Sequence, residues 1–345
     1  MTRANDTQRI LVAGAGALGL VFGALLRRAG HAVTLLGRAV HTDAVAADGV
    51  RVEGLWGEHV ASGFELATDF SHLRDQFDAV LVTVKSYDTR TVGAAVVPFL
   101  SKDGVLISLQ NGLGNVEALI AAAGPQRVLT GRVIFGAEAV APGRVQVTVY
   151  ADPVLIGVCR RDAHPHLESL ARLWAERFAA AGIPSAYSED IEAALWGKVL
   201  YNAALNPLGA LLGVHYGALG EDVNARAIMD AVIEEAFGVA VAEKVALPWA
   251  SAADYRAVFY DRLLPSTFHH RSSMLQDLER GRPTEIDAIN GEVWKRGVAH
   301  GIVTPANELL TRLVHAREAL GPAVGVISMA RSPMGRCGVP SPTGS

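Results

Sequence analysis

The chain has 345 residues, 50% of them hydrophobic and 19% charged, with a formal net charge of −4. That length accommodates two ordinary domains with separate cores, and the composition is that of a soluble folded protein rather than a disordered one. The weak negative charge offers nothing to nucleic acid or an anionic membrane, and the 2 cysteines, Cys159 and Cys337, lack a disulfide framework or metal-ligand spacing and fit a reducing cytosol.

Residues 1–9 are polar, carry no secretory cleavage pattern and are expected to form a short disordered lead. The uncharged stretch that follows, 10–26, falls just short of the ~18 residues of a membrane span and divides instead into a strand pattern and a helix pattern. Between them lie Gly14, Ala15, Gly16, Ala17, Leu18 and Gly19. This is the G-x-G-x-x-G turn of a dinucleotide-binding βαβ unit: the first glycine makes the turn, the second lets backbone approach the pyrophosphate, and the third lets helix and strand pack. The flanking strand, helix and second strand at 31–36 supply the context that a lone motif lacks. The second strand ends in Gly37 and Arg38, without the carboxylate that an NAD site usually uses for the ribose hydroxyls. Arg38 can accommodate a 2′-phosphate, so the expected cofactor is NADPH.

Alternation interrupted by glycines at 48–61 reads as a hairpin inserted after the second unit. A buried strand returns at 79–84, and Lys85 follows its carboxyl end, where open parallel sheets bind their ligands. Lys85 is thus placed to meet cofactor or substrate, a solvated surface lysine being the alternative. A helix at 88–100 and a strand at 104–109 lead to the turn Gln110, Asn111, Gly112. The Asn111 amide could donate or accept at the nicotinamide end of a cofactor, although Asn-Gly is also an ordinary turn signal. Strands at 128–130, 144–149 and 154–157 are expected to continue the same sheet, with a helix at 164–181 and a segment at 183–187 completing a domain over 10–188.

Beyond residue 188 the strand patterns stop. Helices are expected at 190–212, 221–245, 250–264, 274–280, 284–300 and 305–320, giving an all-α domain over 189–320 and a crevice between the two halves. The Gly-, Pro- and Ser-rich stretch 321–345, which holds Cys337, is expected to be a disordered tail. The first of these helices is apolar nearly all round and therefore buried. Yet Lys198, Asn202 and Asn206 recur every four residues and form one polar line along it. Left unpaired in a core, each would cost on the order of 1–3 kcal/mol, more for the charge, so the line must face polar groups, water or a ligand.

With the segments around Ser272, Ser273 and Asp277, Thr284, Glu285 and Asp287, and Asn290 and Gly291, these motifs complete a set. From about residue 10 to about 320 the chain resembles the 2-dehydropantoate 2-reductase, or ketopantoate reductase, family. The resemblance implies an α/β Rossmann-type dinucleotide-binding domain followed by an all-α C-terminal domain. It further implies NADPH-dependent reduction of 2-dehydropantoate to (R)-pantoate, in pantothenate and coenzyme A biosynthesis, by a cytoplasmic enzyme whose assembly as a homodimer is left open. Residue by residue, it implies that Lys198 is the catalytic lysine and Glu285 the glutamate that hydrogen-bonds the reacting oxygen. Asn202, Asn206 and Ser273 would bind substrate, Lys85 and Asn111 would line the junction of nicotinamide and substrate, and Arg38 would contact the 2′-phosphate. Ser273 as a helix cap and Glu285 as a first-turn acid are the structural alternatives. One stretch, 131–138, departs from the family's Thr-rich, small-residue segment through the bulk of Phe135 and the charge of Glu138. The departure leaves open a different 2-oxo or keto acid as substrate. A non-catalytic NADPH-binding sensor is the third reading, opposed by the joint presence of Lys198 and Glu285.

Overall fold

A computed structural model describes residues 6–159 and 165–321. The expectations for residues 1–5, for a helix start at residue 164, and for the tail from 322 onward with Cys337 lie outside the described residues.

The amino-terminal half opens with β1 (Arg9–Ala13), α1 (Ala17–Arg28), β2 (Ala32–Leu36) and α2 (Ala39–Asp48). A hairpin of β3 (Val50–Gly54) and β4 (His59–Ala61) follows, and then the short β5 (Glu65–Ala67) and β6 (Phe77–Val82). Next come α3 (Thr89–Val96), β7 (Leu100–Ser108), α4 (Asn115–Ala123), β8 (Val128–Arg132), β9 (Phe135–Ala141) and β10 (Arg144–Tyr150). The half closes with β11 (Val154–Gly157), α5 (Pro165–Ala180) and β12 (Ser185–Tyr187). Eight strands form one sheet in the order β12-β11-β8-β7-β6-β1-β2-β5, parallel except where β11 meets β8. Apolar runs such as β1 and β6 sit at its centre because helices cover both faces, burying every side chain except at the strand starts.

One expectation is corrected here: the strand at 144–149 does not continue that sheet. It joins a second, four-stranded sheet in the order β4-β3-β10-β9, pairing parallel with β3 and antiparallel with β9. The reason is in its alternation, which buries Val145 and Val147 and exposes Arg144, Gln146 and Thr148. A strand with one wet face cannot sit inside a sheet covered on both sides, and its apolar face packs with Val50, Val52 and Phe22 instead.

The second half is helical: α6 (Ile191–Leu212), α7 (Tyr216–Glu221), α8 (Val223–Ala242), α9 (Ala252–Val258), α10 (Leu264–Ser266), α11 (Ser273–Glu279), α12 (Asn290–Ala299) and α13 (Pro305–Leu320). Its core gathers around α6, with Trp196, Leu200, Met229, Tyr255, Phe259 and Val293. Two expected helices are broken. The one at 250–264 passes into a π-helical turn, Phe259–Leu263, and the one at 284–300 begins only at Asn290, after a 3-10 turn at Ile286–Ala288. That second break has a visible cause, for the Leu113 N–H of the first domain donates to the Ala288 carbonyl at 2.7 Å. Among the described residues no helix is long and apolar enough to cross a membrane.

Pro207 lies inside α6 and has no N–H, so the carbonyl of Ala203 loses its usual helical donor. The Asn290 side chain replaces it, Nδ2 donating to that carbonyl at 3.1 Å and to Asn307 Oδ1 at 3.1 Å. The Asn-Gly pair at 290 thus serves the integrity of α6.

Candidate active site

At the carboxyl end of β1 the chain turns through Gly14 with φ +118°, and a Cβ there would lie 2.7 Å from the Val84 nitrogen. A Cβ on Gly19 would lie 2.0 Å from the Gly14 carbonyl oxygen, whereas one on Gly16 meets nothing within 4 Å. Turn, tight packing and open space therefore fall on the first, third and second glycines in the way that a pyrophosphate cradle needs. Thr83 fixes the loop by donating its hydroxyl to the Gly14 carbonyl at 2.8 Å. Helix α1 begins at this loop with no side-chain cap and no acidic residue in its first turn, which leaves its amino end to an anion. Arg38 lies two residues beyond β2, at the start of α2 and at the same edge, exposed and with no ion-pair partner among the described residues.

A polar seam lies where the β6 and β7 ends meet α6 and the turn before α12. Lys198 reaches across the seam, donating through Nζ to Asn111 Oδ1 at 2.6 Å and to the Val133 carbonyl at 2.6 Å. An ammonium has three N–H groups, so one is left over. Burial pulls the Lys198 amine down to about 8; Glu285 opposes that shift and Arg132 adds to it. Asn111 is the hub of the seam: its Nδ2 donates to Glu285 Oε2 at 3.4 Å, and its carbonyl accepts from Asn115 Nδ2 at 2.9 Å. Gln110 anchors the same turn through the Val84 carbonyl at 2.9 Å and the Thr89 hydroxyl at 2.7 Å.

Glu285 is buried and accepts the Ser86 N–H at 3.0 Å. Lys85 sits between two carboxylates, 2.6 Å from Asp277 Oδ2 and 3.5 Å from Glu285 Oε2. Burial alone would lower the Lys85 pKa, but the charges of Glu285 and Asp277 outweigh it and hold the amine above its ordinary value.

Along α6, Asn202 and Asn206 are both buried. Asn202 has no side-chain hydrogen bond among the described residues, while Asn206 Oδ1 accepts the Tyr216 hydroxyl at 2.7 Å. Ser272, not Ser273, caps α11, its hydroxyl accepting the Leu275 N–H at 3.0 Å, and this leaves the exposed Ser273 without a capping task. The departing stretch splits in two. Phe135 packs its ring 4.6 Å from Trp56 and 6.1 Å from Phe22, so its bulk serves the joint between the sheets. Glu138 instead meets Arg280 at 3.4 Å, on the wall of an interdomain cavity of about 550 Å³. Sequence reasoning gave no role to Arg132, whose charge reaches Lys198, or to Val133, whose carbonyl holds it. A carbonyl acceptor leaves no trace in residue type.

A glycine-loop nucleotide site together with a half-buried lysine and a buried glutamate at a domain seam defines a nicotinamide-dinucleotide-dependent oxidoreductase. Comparison with known proteins agrees. Residues 10–160 match the family described as "Ketopantoate reductase PanE/ApbA", and residues 190–318 match its C-terminal part. A 2-dehydropantoate 2-reductase of Aquifex aeolicus is 38% identical over 315 residues, covering 90% of this chain and 97% of that protein. One of Archaeoglobus fulgidus is 35% identical, covering 90% and 98%. Among solved structures, a ketopantoate reductase from Ralstonia eutropha superposes with a TM-score of 0.79 at 35% identity, covering 90% of this chain and 99% of that one. D-mandelate dehydrogenase with NADH and anilino(oxo)acetate gives 0.80 at 27% identity, with the same coverage. The chain belongs to the ketopantoate reductase family.

Proposed function

We propose that the protein reduces 2-dehydropantoate to (R)-pantoate with NADPH, as a cytoplasmic enzyme of pantothenate biosynthesis. The observation that carries this reading is Lys198, held by Asn111 and Val133 with one N–H to spare and a pKa of about 8. Gly14 to Gly19 would hold the pyrophosphate, Arg38 the 2′-phosphate, and Lys85 and Asn111 the nicotinamide end. The bound cofactor supplies the hydride.

The protein's own residues handle the charge that develops on the carbonyl oxygen. Lys198 stabilises that oxygen electrostatically and gives it a proton from Nζ, since an amine near pH 8 is charged at neutral pH yet able to release its proton. Asn111 and Val133 aim the ammonium, and the Glu285 carboxylate keeps it protonated. Asn202, Asn206 and Ser273 bind the substrate's hydroxyl and carboxylate through neutral groups, so that binding adds no charge beside Lys198.

A second reading, the same chemistry on another 2-oxo acid, is supported by the similarity to D-mandelate dehydrogenase. Initial rates with ketopantoate and with aryl and alkyl 2-oxo acids, each with NADPH and with NADH, test both. The highest kcat/KM is expected for ketopantoate with NADPH. A higher value for an aryl oxo acid replaces the first reading by the second, and tight NADPH binding without turnover of any acid replaces both by a sensor.

A further inference from the structure

We propose that Glu318 of α13 is a positioning residue for Glu285: its carboxylate anchors the main chain immediately before that glutamate, and His315 ties the same anchor to the main chain just after it. The proposal rests on the reading that Glu285 takes part in the reduction, and it extends that reading to a helix with no place in the site so far. Glu285 has to keep its two oxygens on donors of the other domain, the Ser86 N–H at 3.0 Å and Asn111 Nδ2 at 3.4 Å. A carboxylate on a flexible stem holds such positions only when its own backbone is held.

The backbone here is a single 3-10 turn, Ile286–Ala288, entered at Glu285, and so short an element has little hydrogen bonding of its own. It is pinned from outside instead. At its far end the Ala288 carbonyl accepts the Leu113 N–H, and at its near end the Thr284 N–H donates to Glu318 Oε1 at 2.7 Å. Pro283 has no N–H, so Thr284 carries the only amide between Arg282 and Glu285 that a neighbour can take. His315 lies one turn before Glu318 on α13, with Nδ1 3.1 Å from Glu318 Oε2 and Nε2 2.8 Å from Asp287 Oδ1. A charged imidazole donates from both nitrogens. Burial alone would lower the His315 pKa, but the bonds and charges of Asp287 and Glu318 outweigh it and hold the ring above its ordinary value. Residues 284 and 287, on either side of Glu285, are thus both tied to α13. Glu318 is half-buried, and its bond to a main-chain N–H is charge-assisted, the stronger kind.

The test is a double-mutant cycle read by steady-state kinetics, with whichever 2-oxo acid the wild type turns over best. Glu318→Ala should lower kcat about tenfold, the worth of one charge-assisted hydrogen bond, with the NADPH KM within about threefold of wild type. Glu285→Ala should lower kcat by at least about as much, and adding Glu318→Ala to it should cost less than about twofold more, because the anchor then has no side chain to place. A purely structural role for Glu318 would instead cost the same with and without the Glu285 side chain. Glu308→Gln, which breaks a 2.8 Å pair with Arg312 elsewhere on α13, should leave kcat unchanged. A wild-type kcat in Glu318→Ala, an additive cycle, or an equal loss in Glu308→Gln overturns the proposal. Should Glu318→Ala not fold, the same cycle with Glu318→Asp, whose carboxylate stops one methylene short of the Thr284 N–H, decides in its place. A wild-type kcat in Glu285→Ala overturns the part given to Glu285, and a wild type that reduces no 2-oxo acid overturns the functional reading, each taking the proposal with it; an additive cycle in an active enzyme overturns the proposal alone.

Discussion

The two walls of the cleft each present a lysine, in opposite electrostatic settings. Lys85, from the sheet edge, is paired with two carboxylates that hold its pKa above the ordinary value. Lys198, from α6, is held by an amide oxygen and a backbone carbonyl, and its pKa falls to about 8. Both residues are half-buried, and desolvation pulls on each; what differs is whether a carboxylate touches the amine. Full charges lock Lys85 as a permanent cation, which suits holding a cofactor or an anionic substrate. Neutral acceptors leave Lys198 free to lose its proton, which suits an acid.

The most severe way to break the comparison is Lys198→Ala, which should lower kcat by at least ~10², the usual contribution of a general acid. Near-normal turnover in that variant would remove the distinction between the walls. Lys85→Met should act more on KM than on kcat, by about tenfold, as for one charge-assisted contact. It also leaves the Asp277 and Glu285 carboxylates without their cation, so a melting curve should show a lower midpoint. The smallest effect is in the pH profile. Lys198 is protonated below about 8, so kcat/KM for reduction should be level below that pH and fall as pH rises through it. Glu285 favours the charged amine, and Glu285→Gln should shift the falling limb to lower pH. Arg132 disfavours it, and Arg132→Met should shift the limb to higher pH. Lys85→Met, by contrast, should keep a limb of this kind.

What could be read from the chain follows the same physics. The glycine loop and α1 were legible because backbone geometry there constrains residue type: no other residue fits at Gly14 or Gly19. The polar line of Lys198, Asn202 and Asn206 stood out because amides and an amine interrupted an apolar helix. The second sheet was not legible, since Val145 and Val52 pair across about ninety residues and an alternating pattern names no partner. Nor was the break before α12, because residues 284–300 carry a helical pattern and the opposing bond comes from the backbone of Leu113. Asn290 stood among the motifs of the active site although its amide repairs the carbonyl freed by Pro207.

That Leu113 to Ala288 bond has a bearing on how such a protein can change over generations. It joins two main chains, one beside Asn111 and the other beside Glu285, and no side chain takes part in it. Side-chain drift in either domain therefore cannot erase it directly. The vulnerable point is Gly112, where φ is +81° and a Cβ would fall 2.3 Å from the Ala288 oxygen. The bare hydrogen at that position leaves room for this bond, one of several that join the two halves and the one that owes nothing to a side chain.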